Sequence, residues 1–246
     1  MSKRYNNQHW SNRHNRWSCG GWVGFPLGSI LRTTLAATVV LWFLNERHVL
    51  PPKISAVVSQ VLFWPTLPVT YVRRIGHWIT EIDDTVVMGG LPWGLAGMPD
   101  RLSRDFQVRG VINMCKEYRG PTEQYERLGI VQLHLPTVDH VEPNTDDLER
   151  AVEFLQDFRE RGERVYVHCR AGHGRSGAAV FAWMLAQDPG SDPEALNQYL
   201  CSLRDVRKGL WKQTNIREFH NRLKKREASG LASDAATVDL TEEEEL

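Results

Sequence analysis

The stretch from Val165 to Gly177 constrains the fold of this chain more than any other. Val165, Tyr166 and Val167 are strand formers, and Ser176, Gly177, Ala178 and Ala179 open a helical pattern. Between them lies a tight loop holding Gly172 and Gly174. A strand, loop and helix in that order aim several backbone N–H groups and the positive end of a helix dipole at one concave point. That point suits an anion, phosphate above all. A cysteine at the start of the loop, here Cys169, feels the same field and loses its proton below the usual thiol value of about 8.5. Arg175 follows six residues later and can clamp phosphate oxygens in pairs. A thiolate held in a phosphate cradle suits nucleophilic attack on a phosphate ester.

Written out, the loop is His-Cys-x5-Arg-Ser, and it resembles the cysteine-based phosphatase superfamily of tyrosine, dual-specificity and lipid phosphatases. A sulfurtransferase also keeps a cysteine in an anion-binding loop, but the Arg-Ser ending argues against it. A silent phosphate-binding module is the reading from a different class, and it would be expected to lack Cys169, Arg175 or an upstream acid. The chemistry assigns Cys169 the attack on phosphorus through a phosphocysteine. Arg175 and the amides of Arg170, Ala171, Gly172, His173 and Gly174 hold the phosphate oxygens. His168 either orients the loop through a backbone hydrogen bond or simply packs at a strand end. Ser176 either donates to the sulfur, which helps it leave, or caps the helix. In the superfamily an Asp about thirty residues before the cysteine serves as general acid and base. The resemblance therefore points to Asp139, 30 residues before Cys169, in Pro136-Thr137-Val138-Asp139-His140. Asp146 and Asp147 compete, but compensation of a helix dipole explains both. No metal or other cofactor is implied, because a thiolate and an arginine do what a metal would do.

At 246 residues the chain has room for one domain of about 150 residues with further segments. Its net charge is zero but unevenly spread. Residues 1–75 carry nine Lys/Arg against the single acid Glu46, and the remainder carries 21 against 29. That split fits a basic anchor on an anionic membrane followed by a soluble domain, and it excludes nucleic acid as the partner of an acidic catalytic domain. Cys19, Cys115, Cys169 and Cys201 show no paired or metal-ligand spacing, which fits a reducing compartment.

Residues 1–29, basic and rich in Asn, Ser and Trp, read as an organelle-targeting leader or a basic tail. Residues 30–75 hold two apolar segments. Thr33–Asn45, 13 residues without charge, is short for a hydrocarbon core of about 30 Å. Ile54–Val72, 19 uncharged residues, is long enough, but Pro65 and Pro68 are expected to break or kink it. It reads as membrane-associated, spanning or lying flat, with a core helix of the following domain as the alternative. From 76 to 227 strands alternate with helices, which predicts an α/β fold: a central, mostly parallel sheet with helices on both faces. A hairpin around Asp83-Asp84, a helix over Met98–Phe106, strands over Val108–Met114 and Ile130–Leu135, and a helix capped by Asn144 or Thr145 precede the cysteine loop. Further helices end near 186, 204 and 226. Residues 228–246, small and acidic, read as a disordered tail.

Further matches narrow the resemblance. Val61-Leu62-Phe63-Trp64-Pro65-Thr66-Leu67, the run Ile82 to Pro92, Arg109-Gly110-Val111-Ile112-Asn113-Met114 and Glu218-Phe219-His220 are similar to segments of the mitochondrial protein-tyrosine-phosphatase-like enzymes. Those enzymes dephosphorylate phosphatidylglycerophosphate on the route to cardiolipin. The family's Glu-Glu-Tyr-Glu stretch is Lys116-Glu117-Tyr118-Arg119 here, so the resemblance carries Glu117 and Tyr118 over as substrate contacts. His173 stands where Arg or Lys is usual, and the family's Arg-Pro element before the last helix is replaced by Arg207, Lys208 and Gly209. The resemblance implies a membrane-anchored phosphatase acting on an anionic phospholipid at the mitochondrial inner membrane, working as a monomer. Phosphoinositides and phosphoproteins are the alternative substrates.

Overall fold

The computed structural model describes residues 27–47 and 49–243. Residues 1–26, nearly all of the expected leader, and the last three residues lie outside that description. Two helices come first, α1 (Leu27–Glu46) and α2 (Pro52–Arg73). Then follow β1 (Ile79–Glu81), β2 (Val86–Gly89), α3 (Met98–Asp105), β3 (Val108–Cys115), α4 (Thr122–Leu128) and β4 (Val131–Thr137). The chain continues through α5 (Thr145–Glu160), β5 (Arg164–His168), α6 (Arg175–Gln187), α7 (Pro193–Leu203) and α8 (Thr214–Glu243).

The sheet runs β1-β2-β5-β3-β4. It is mixed, because β1 lies antiparallel to β2 while the other three pairings are parallel. The hairpin turns on Asp83, whose Oδ1 accepts the N–H groups of Thr85 at 2.8 Å and Val86 at 2.6 Å. Strands β2, β3 and β5 are almost continuously apolar because both faces are covered. Alternate side chains divide accordingly. Val86, Met88, Ile112, Met114, Val165 and Val167 join the larger core with α5 and α6. Val87, Val111 and Tyr166 face the smaller cluster with Leu102 and Tyr125, from α3 and α4. Helix α6 is buried from Arg175 through Trp183, which its small residues Gly177, Ala178 and Ala179 allow.

Three elements depart from the sequence reading. Helix α4 was not expected; Tyr125 is its one buried residue, too little to give a periodic signal. Helix α8 continues through the stretch read as a disordered tail, as far as Glu243. Most instructive is α2, which runs unbroken through Pro65 and Pro68. The carbonyls that lose a helix donor to the prolines are those of Val61 and Trp64; nearby, Thr66 Oγ1 donates to the Leu62 carbonyl at 2.6 Å and Thr70 Oγ1 to the Thr66 carbonyl at 3.2 Å. One face of α2 belongs to the domain: Phe63 and Leu67 sit in the larger core beside the sheet. Burying each stabilises the fold by roughly 1.5–3 kcal/mol.

Candidate active site

Ligand sites in parallel sheets gather at the carboxyl ends of the strands. Here the ends of β3, β4 and β5 lie side by side, with Cys115 paired to Thr137 and Asn113 to His168. Cys169 leaves β5 at that end, buried. Ser176 Oγ donates to its Sγ at 3.2 Å. Burial alone would push the Cys169 thiol up. The Arg175 guanidinium, the Ser176 hydroxyl and the amides of Ser176 and His173 outweigh it and hold the thiol below its ordinary value. His168 is wholly buried; its Nδ1 lies 3.3 Å from the Cys169 carbonyl, and burial pushes its pKa down to about 3, leaving it neutral.

Arg204 braces the loop from behind. Its Nε donates to the Gly172 carbonyl at 2.8 Å and its Nη2 to the Ala171 carbonyl at 3.2 Å, while Nη1 reaches His77 and Thr80. With those carbonyls held outward, the loop amides remain for an anion. Gly172 adopts φ +65°, and a Cβ there would come within 2.5 Å of both Arg204 Nη2 and the Gly89 carbonyl, so the turn requires glycine.

Two arginines hold the predicted acid. Asp139 pairs with Arg175 Nη2 at 2.9 Å and Arg170 Nη1 at 3.4 Å. Burial acts to raise the Asp139 carboxyl, but Arg175, His140 and Arg170 pull it below the ordinary carboxylate value. Arg175 Nη1 also donates to the Thr137 carbonyl at 2.7 Å and to Glu117 Oε2 at 2.9 Å. Glu117 Oε1 in turn accepts the Asp139 N–H at 2.8 Å. One glutamate thus bonds both the Arg175 side chain and the backbone of Asp139. Arg170 is held by α2: its Nη2 donates to Thr66 Oγ1, and its guanidinium lies 5.3 Å from the Phe63 ring centre.

A cleft of about 260 Å³ opens over the sulfur, lined by Cys169, Arg170, Ala171, His173, Gly174, Arg175 and Asp139, with Arg73, Arg74 and Arg207 among the walls. Glu117, Tyr118 and Gly172, read as substrate contacts, stand behind that lining, as do His168 and Ser176. Tyr118 turns its hydroxyl to the Pro92 carbonyl at 2.9 Å. Arg207 donates its backbone N–H to the His173 carbonyl at 3.3 Å, and its guanidinium lies beside Gly174, so a cation from the segment before the last helix stands at the loop without the family's Arg-Pro pair. Sequence reading passed over Phe63, Thr66, Arg74 and Arg204. The close run of cations from Arg204 to Lys208 was a usable signal. Thr66 stood within the family-like Val61–Leu67 run, but nothing in the sequence ties it to a partner 104 residues away.

A family model described as the dual specificity phosphatase catalytic domain matches residues 96–221. The human phosphatidylglycerophosphatase and protein-tyrosine phosphatase 1 is 34% identical over 184 residues, 69% of this chain and 90% of that protein. A crystal structure of PTPMT1 superposes with a TM-score of 0.55 at 32% identity, covering 62% of this chain and 99% of that one. PTPMT1 solved in complex with PI(5)P gives 0.54 at 30% identity, covering 61% and 98%.

Proposed function

Since the chain belongs to the dual-specificity phosphatase family and is a phosphoric monoester hydrolase, we propose that its substrate is a phospholipid phosphomonoester, phosphatidylglycerophosphate first. The observation that carries this reading is the surplus of cations in the cleft. Arg175 and the loop amides suffice for one phosphate, yet Arg73 and Arg207 line the same walls, as does Arg74, which pairs with Asp205 at 3.1 Å. A lipid whose headgroup holds a phosphodiester beside the monoester uses those further charges; a phosphotyrosine does not. The names of the relatives agree with this. A phosphoinositide is the second reading, favoured by the neighbour solved with PI(5)P. The basic residues before Glu46 support a mitochondrial address at the inner membrane. All the catalytic groups come from one chain, which supports action as a monomer.

Asp139 pairs with Arg175 at 2.9 Å, on the guanidinium that the chemistry assigns to phosphate oxygens. An arriving phosphate takes over that guanidinium. Its negative charge then raises the Asp139 pKa, so the carboxyl enters the reaction protonated. The Cys169 thiolate attacks phosphorus, the bond to the alcohol oxygen breaks, and Asp139 gives that oxygen its proton. Water then attacks the phosphocysteine, Asp139 takes a proton from it, and sulfur leaves as thiolate, helped by the Ser176 hydroxyl. Arg175 and the loop amides hold the equatorial oxygens in both steps. The test is a panel of vesicle-borne phosphatidylglycerophosphate, phosphoinositides and a phosphotyrosine peptide, run beside Cys169→Ser. Preference for the peptide by kcat/KM would overturn the lipid reading.

A further inference from the structure

Helix α2 has two apolar faces. The inward one, with Leu62, Phe63 and Leu67, is buried in the domain. The outward one, with Ile54, Val57, Val61, Trp64 and Val72, is at least half exposed at every position. At 100° per residue the two sets lie on opposite sides of the helix. Among the described residues this is the one helix long and apolar enough to cross a membrane. A helix with one side locked into a folded domain cannot cross, because the domain would have to enter the hydrocarbon with it.

The outward face does not end at the helix. Tyr71, half exposed, stacks on Trp93 at 6.4 Å, and two residues on, Leu95 is fully exposed on its own turn. Exposed Trp and Tyr rings suit the boundary between headgroups and acyl chains. Pro65 and Pro68 remove the helix donors that would serve the Val61 and Trp64 carbonyls, both residues of this face. Interfacial water can satisfy those oxygens; a dry seam against another helix cannot. The charges complement an anionic surface, with Lys53 exposed near the start of the helix and Arg73 exposed at its end. Thr70, Arg73 and Arg74 of the last turn also line the cleft.

We propose that α2, with Trp93 and Leu95, is a monotopic docking surface that lies flat in the interface of an anionic bilayer and brings the cleft to its substrate. This rests on the lipid reading above and adds the surface and its orientation. The wall between the outward face and the cleft is then the helix itself, so a headgroup has to rise about one helix diameter, roughly 10–12 Å, to reach the sulfur.

The experiment places an environment-sensitive fluorophore on the full chain at Val57→Cys or Val72→Cys, with Cys19, Cys169 and Cys201 replaced by Ser. Vesicles of phosphatidylcholine and phosphatidylglycerol are added, and probe depth is read by quenchers placed along the lipid chain. Both probes should shift to the blue and report one shallow depth. A span would separate them by about 22 Å of helix, and that result, or no shift, overturns the proposal. In a second measurement, Val57→Glu/Val61→Glu should lower hydrolysis of the vesicle-borne lipid phosphate by about tenfold or more. Its rate on a soluble aryl phosphate should stay at the wild-type value, which also shows that it folds. Equal rates of the two proteins on vesicles overturn the proposal. So does a concentration-dependent dimer abolished by the double substitution with the vesicle probes unshifted, which makes this face a contact with a second copy. Docked probes with no lipid hydrolysis by the wild type would sink the lipid substrate and leave the docking surface standing.

Discussion

The phosphate loop and α2 meet at Arg170 and reach it by opposite routes. From Cys169 to Arg175 the proposed nucleophile, the amides and the proposed clamp lie within one short stretch, shaped by local rules: a glycine at φ +65° and the start of a helix. Helix α2 contributes Phe63 and Thr66 from a hundred residues earlier, and its place is set by what it buries. The difference separates chemistry from support. Substitutions in the loop should remove turnover while the fold survives. Substitutions on the inward face of α2 should cost stability first and rate second.

The largest expected effect is on the loop side. Cys169→Ser should abolish turnover of every phosphomonoester while retaining inorganic phosphate, read as a ligand-induced rise in Tm. Residual activity within about tenfold of wild type would break the mechanism. Arg175→Lys should fail as well, since a point charge cannot replace a planar fork between Glu117 and Asp139.

Next comes the acid. Asp139→Asn should slow an alkyl phosphate by about 10²–10⁴-fold and an aryl phosphate, whose phenol leaves unaided, far less. Equal losses on both would make Asp139 positional. The same variant has a signature in stability. The Asp139 pKa is lowered in the folded state, so its ion pairs stabilise the fold above the ordinary carboxylate range, and that contribution is lost as pH falls through the folded value. Between about pH 7 and pH 3 the Tm of Asp139→Asn should therefore fall less than that of wild type.

On the α2 side, Phe63→Ala should lower stability by about 3–5 kcal/mol, because the ring is fully buried between the core and Arg170. A chain beginning at Pro52 should fold, and one beginning at 76 should not, which would put the boundary of the domain before α2. A stable chain from 76 would show that α2 only rests on the domain. Thr66→Val keeps the shape and removes the acceptor from Arg170. It should cost about 1 kcal/mol, a fivefold change in kcat/KM, with the acid limb of the pH profile moved as Arg170 shifts against Asp139. An unmoved profile would reduce Thr66 to packing.

The smallest effect on basal rate belongs to Cys115. It is a buried free thiol at the end of β3, pushed up by burial and near enough to Cys169 for the two charges to interact. Mild peroxide should oxidise the Cys169 thiolate to a sulfenic acid, which the Cys115 thiol converts to a disulfide with loss of water. Reductant should then restore wild type, while Cys115→Ser goes on to the irreversible sulfinic acid. Equal recovery of the two proteins would leave Cys115 as a core residue.

The sequence by itself determined whatever depends on neighbours along the chain. Val165–Val167, Gly172 and the small residues of α6 announce strand, turn and buried helix within the fifteen residues from Val165 to Ala179. Asn144 declares its cap, and its side chain accepts from the Asp147 N–H at 2.7 Å. The position of Asp139 was legible only through family spacing, because an aspartate after a strand has no local mark of an acid. Only the tertiary structure decided what Arg204, Thr66 and Glu117 do, since each acts on a group tens of residues away and hydrogen-bond partners leave no period in a sequence. It also decided the fate of α2. A run of apolar residues records only that the helix leaves water, and a protein core and a lipid interface remove the same apolar area from it. Which side faces which was fixed by the fit of Phe63 and Leu67 against the sheet, where packing, a property of shape rather than composition, selects one face and leaves the other outside.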